Sequence, residues 1–139
     1  MRKNGAVCDF TRERNEELKR AFRHCRRTGN YRTTDDIFGL MAAMPASRFY
    51  INEQRARNLI AEKWKKGSWN PKTLKNKLEM IKEIERRVVS LMAKDPSLCL
   101  DDAVVAVVYS PAPSFYMTKR SIRTTFYEIK NPLKLKIKN

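Results

Sequence analysis

The feature that most constrains this chain is that it repeats itself. Residues 45–50 read Pro-Ala-Ser-Arg-Phe-Tyr, and residues 111–116 read Pro-Ala-Pro-Ser-Phe-Tyr. The same offset carries Asp35-Asp36 onto Asp101-Asp102, Arg57 onto Arg123 and Glu62 onto Glu128. From residue 35 to 62 this gives 8 identities in 28 ungapped pairs, against the roughly 2 expected by chance for this composition. Upstream, Glu13, Glu17 and Arg20 fall on Glu79, Glu83 and Arg86, while Leu18 and Phe22 fall on Ile84 and Val88. The chain is read as two tandem copies of one unit of about 66 residues. A unit that small lies near the lower limit for independent folding, so the copies are expected to lean on each other.

Helical spacing dominates both copies. In the first, Leu18, Ala21, Phe22 and Cys25 form an apolar stripe over 12–27, which Asp9 or Thr11 can cap, with residues 1–8 loose. Gly29 suits a left-handed helix end. A short second helix runs over 34–44 from Thr33 or Thr34, with Asp35 and Asp36 in its first turn, and Pro45 stops it. Ile37, Leu40, Met41 and Met44 are its buried candidates. After a link over 45–51, Asn52 caps a third helix over 53–65, with Ala56, Leu59, Ile60 and Trp64 facing inward. Thr118 repeats the cap in the second copy, where Ile122, Phe126 and Ile129 face inward.

Between the copies, Asn70 caps and Pro71 opens a long helix reaching to about residue 93, with Leu74, Leu78, Ile81, Ile84, Val88 and Leu91 on its apolar face. The run Ala103-Val104-Val105-Ala106-Val107-Val108 favours a strand by propensity, but its aligned partner over 37–44 favours a helix. The duplication decides for helix. Residues 132–139, with Lys134, Lys136 and Lys138, read as a basic arm. The expected fold is all-α, with trihelical repeats over 1–69 and 70–131 joined by the long helix.

The charge narrows the function. The chain carries 30 Lys+Arg against 15 Asp+Glu, a net +15. Residues 1–70 hold 16 basic and 8 acidic side chains, and 71–139 hold 14 and 7. Both copies are therefore basic, which suits a polyanionic partner. Chemistry is poorly served. The carboxylate pairs Asp35-Asp36 and Asp101-Asp102 are explained by helix starts, and adjacent His24 and Cys25 diverge by about 100° on a helix. Three cysteines and one histidine make no metal set, and four glycines make no phosphate loop. The reading is of a non-enzyme with no cofactor, no metal and no small-molecule substrate. The lack of a spanning apolar run and of an apolar leader places it in the cytoplasm, at the nucleoid or in a virion.

Helix, helix, turn and capped helix in each copy resemble the helix-turn-helix class of trihelical DNA-binding domains, although the link over 45–51 is longer than the usual turn. The Pro-Ala-x-x-Phe-Tyr phrase is also similar to one found in small proteins of tailed phages and mobile elements. The resemblance implies that each third helix enters a major groove of double-stranded DNA. Base-reading positions would be Gln54, Arg55, Arg57 and Asn58 in the first copy, and Lys119, Arg120, Arg123 and Thr124 in the second. Arg48, Lys63, Lys65, Lys66, the basic face of the first helix and the lysine arm would contact phosphates. Phe49, Tyr50, Phe115 and Tyr116 would anchor the links. Two other readings stand beside this one: a structural or packaging protein working through an assembly partner, and an RNA-binding protein stacking bases on Tyr50 and Tyr116.

Overall fold

The computed structural model describes residues 2–130, with side chains from 10 to 129. The basic arm, with Lys134, Lys136 and Lys138, lies outside the described residues. Among these residues the chain forms six α-helices and no strand: α1 Arg2–Thr28, α2 Thr34–Ala42, α3 Glu53–Lys66, α4 Lys75–Lys94, α5 Leu100–Val108 and α6 Lys119–Lys130.

The helices sort into two compact units that do not follow the repeats in order. One comprises the chain up to Ala46 and from Pro113 onward; the other is Ser47–Ala112. In the first unit α1, α2 and α6 pack pairwise, and in the second α3, α4 and α5 do the same. Each unit therefore takes two helices from one sequence repeat and its third helix from the other. This differs from the sequential division at 69/70. The joint there lies inside the second unit, and the chain changes unit within the two Pro-Ala-x-x-Phe-Tyr phrases.

In the first unit Leu18, Ala21 and Cys25 of α1, Ile37, Phe38 and Met41 of α2, and Ile122 and Phe126 of α6 are buried. Three rings form its centre. Phe126 stacks on Phe22 with centroids 4.3 Å apart and lies 5.6 Å from Phe38. α2 starts in a capping box: Thr33 Oγ1 accepts from the Asp36 N–H, and the Asp36 carboxylate accepts from the Thr33 N–H. Gly29 is not left-handed. Its role is close approach, because a Cβ there would stand 2.5 Å from the Cys25 carbonyl oxygen and 2.6 Å from Leu40 Cδ1. α1 begins at Arg2 rather than near Arg12. No proline interrupts residues 2–11, so both candidate caps fall inside the helix.

In the second unit the core joins Ala56 and Ile60 of α3, Met80, Ile81, Ile84 and Val88 of α4, and Ala103, Val104, Val107 and Val108 of α5. The valine-rich run is helical because its buried positions recur with helical spacing, and that burial overrides strand propensity. Phe49, Tyr50 and Ile51 are buried too. The Phe49 N–H donates to Val108 O at 2.9 Å, satisfying a carbonyl that the end of α5 leaves open. Gly67, at φ 84, closes α3 in the left-handed conformation. Two inward assignments differ from the expected ones. Leu74 is 77% exposed and occupies the N-cap of α4, because Asn70 Oδ1 instead accepts from the Lys72 N–H and closes a turn over Pro71. Trp64 is 42% exposed, with Nε1 donating to Glu85 Oε2 at 2.7 Å.

Candidate nucleic-acid interface

The last helical residue of α1 with a carboxylate is Glu17, and from Leu18 to Thr28 the helix carries only cationic, polar and apolar side chains. Its apolar stripe turns into the first unit. Arg20, Arg23, Arg26 and Arg27 remain exposed. Three of them, at 20, 23 and 27, fall one turn apart along one face. The side chain of none of the four takes part in a hydrogen bond or ion pair among the described residues. Arg26 and Arg27 also sit in the last turn, where a cation suits the helix dipole.

The equivalent face of α4 has changed character. The offset that aligns the repeats puts Val89, Met92 and Ala93 where α1 has Arg23, Arg26 and Arg27. Val89 is 51% exposed. Arg86, the counterpart of Arg20, is held by Glu83, as is Arg87.

The third helices use several of their expected reading residues internally. Arg57 Nε donates to Asp101 Oδ1 at 2.7 Å, across from α3 to α5. In the other unit Arg123 Nη1 lies 3.3 Å from Asp35 Oδ1, and Lys119 Nζ lies 2.7 Å from Asp35 Oδ2. The hydrogen bond from Lys119 holds the Asp35 carboxyl below its ordinary pKa, with Lys119 and Arg123 charges adding to the effect. Gln54 Nε2 donates to Asn58 Oδ1 at 3.2 Å. Of the eight positions, Arg55, Arg120 and Thr124 stand exposed with their side chains outside any described hydrogen bond or ion pair.

The expected phosphate contacts divide in the same way. Arg48 is 5% exposed. Its Nε donates to Phe49 O at 3.0 Å and its Nη2 to Ile51 O at 3.1 Å. The guanidinium lies over the Tyr109 ring at 4.3 Å and the Tyr50 ring at 5.4 Å. Arg48 is thus a buried brace of the link, where the sequence reading made it a phosphate contact. Lys63 pairs with Glu85 at 2.8 Å, and Lys66 with Glu62 at 2.9 Å. Lys65 is exposed. Lys77 of α4, which no sequence signal marks out, has its pKa lowered by burial and then by the charge of nearby Arg55. The link aromatics Phe49, Tyr50 and Phe115 are buried, and Tyr116 adopts a left-handed φ of 56.

An open cavity of about 340 Å³ in the second unit is lined by Arg86, Arg87, Ser90, Leu91, Lys94, Ala106, Val107 and Ser110. The lining offers two hydroxyls and no carboxylate, imidazole or thiol. Among the described residues no cluster of histidine, cysteine and carboxylate could hold a metal ion, and no helix is long and apolar enough to cross a membrane. Compared with protein-family models, curated proteins and solved structures, the chain matches nothing.

Proposed function

We propose that this protein binds double-stranded DNA, and that the exposed arginine face of α1 supplies its main phosphate contacts. The observation that carries this reading is the set of four arginines, Arg20, Arg23, Arg26 and Arg27, exposed on one half-helix without acidic partners. A guanidinium kept free of internal carboxylates is available for phosphate, to which it bonds bidentately. The chain's net +15 adds a long-range attraction for any polyanion. Base reading, on this view, falls to Arg55, Arg120 and Thr124, the expected reading positions whose side chains lie outside internal pairs. Sequence preference is therefore modest, and affinity is mostly electrostatic. Burial of Tyr50 removes one of the two aromatics that a base-stacking mode on single-stranded RNA would need.

The test is fluorescence anisotropy with a random-sequence duplex, a single strand and an RNA hairpin over a salt series. Tightest binding to the duplex is expected. Four neutralised phosphates should contribute about −3.6 to the slope of log K against log salt. Equal or tighter binding to the hairpin would favour RNA. Weak binding to all three near physiological salt would overturn the reading and turn attention to an acidic protein partner.

A further inference from the structure

We infer that the two sequence repeats are complementing halves. Each presents an open two-helix face whose partner is the third helix of another copy of the same repeat, and in this chain the two copies satisfy each other reciprocally. The inference is independent of what the protein binds.

Three observations carry it. First, the packing is mirrored. α6 closes on α1 and α2 just as α3 closes on α4 and α5. Without α6 the first repeat would leave Phe22 and Phe38 open where Phe126 packs against both. Secondly, the same ion pair is made twice at the repeat offset. Arg57 meets Asp101, and Arg123 meets Asp35, so each joins the third helix of one repeat to the second helix of the other. Thirdly, charges at positions where the copies differ favour the exchanged pairing. Lys63 of the first repeat pairs with Glu85 of the second at 2.8 Å. The residue of the first repeat that aligns with Glu85 is Lys19. A third helix folded back onto its own repeat would bring Lys63 against Lys19, a like-charge contact in place of an attractive one. Two copies of the first repeat would still set Lys63 against Lys19, so the pairing that the charges favour is the one between the two different repeats.

The test uses the whole chain. A specific protease site is placed in the exposed joint after Gly67 and cut once the protein has folded, giving two fragments with one repeat each. Native mass measurement should find a single particle with the mass of the intact chain. A zero-length carbodiimide, which couples an amine to an adjacent carboxylate, should then join the fragments covalently. Peptide mapping should locate the bonds at Asp35–Lys119 in one unit and Lys63–Glu85 in the other. Fragments that separate into individually folded pieces would overturn the inference. So would a particle that stays together yet yields neither bond. Because the two bonds report on different units, a cut that disturbs one still leaves the other as a reading.

Discussion

Replacing Phe126 by alanine should loosen the environment of Cys25, a residue of the other sequence repeat 101 positions away. Phe126 is 5% exposed and lies at the centre of the ring cluster of the first unit. Removing a buried phenylalanine costs about 3–5 kcal/mol, which includes its ring contacts with Phe22 and Phe38. Cys25 is buried on α1, with Sγ 3.3 Å from Met44 Sδ, and burial raises its thiol pKa. It reacts with a thiol reagent only when the unit opens. At tenfold per 1.36 kcal/mol, opening should become about a hundredfold to a few thousandfold more frequent, with the unit's own stability as the ceiling. The assay is labelling followed by peptide mapping in a Cys8→Ser background. Exposed Cys99 serves as a fast internal control. The comparison is Ile60→Ala, which removes a fully buried side chain from α3 of the second unit at about 2–5 kcal/mol. It should leave Cys25 close to its parental rate. A Cys25 rate that rises with Ile60→Ala and not with Phe126→Ala would refute the assignment of α6 to this unit.

Three further outcomes are expected. Changing Arg20, Arg23 and Arg27 together to alanine should flatten the salt dependence of duplex binding by about 2.7 in log–log slope; an unchanged slope would move the phosphate contacts off α1. A double-mutant cycle on Arg57 and Asp101, followed by urea denaturation, should give a coupling of about 0.2–1 kcal/mol that shrinks in 1 M salt, as fits a half-exposed pair. Zero coupling, with Arg57→Ala weakening duplex binding, would restore Arg57 as a reader. Asp35 and Asp36 both have folded pKa values below the ordinary 3.8. Their contribution is present above the unfolded value and is lost as pH falls through the folded one. The urea midpoint of the parent should therefore drop between pH 6 and pH 3, and an Asp35→Asn, Asp36→Asn variant should show a smaller drop from a lower start.

Much of the fold was legible locally. The helix over the valine-rich run followed from alignment with residues 37–44, and the caps at Asn52 and Thr118 from residue type. Both side chains accept from the N–H three residues on, Arg55 and Ser121. Asn70-Pro71 satisfies the signature of a helix start and of a turn equally well, and it forms the turn, so α4 starts at Lys75. The loss of the arginine face in the second repeat could have been read directly, by laying Val89, Met92 and Ala93 under Arg23, Arg26 and Arg27. Burial of Arg48 was less accessible. A basic residue beside Phe49 and Tyr50 reads as a surface cation until Tyr109 is known to lie over it.

The exchange of third helices belongs to a different class of difficulty, which a duplication creates by itself. Where two copies are identical, a contact within a copy and the matching contact between copies involve the same residue types. Asp35 with Arg57 and Asp35 with Arg123 are the same statement in sequence. Conserved positions, which reveal the repeat, are therefore the ones that cannot say how its parts pair. The information lies where the copies diverge. Arg48 stacks on Tyr109, while the residue aligned with Tyr109 in its own repeat is Ala43, which offers no ring. Lys63 finds Glu85, where its own repeat offers Lys19. Each asymmetric pair favours the exchanged partner, and together they select one pairing from two that the identities leave degenerate. Divergence between fused copies thus does structural work, because it turns a self-complementary repeat into two halves that fit each other in one arrangement.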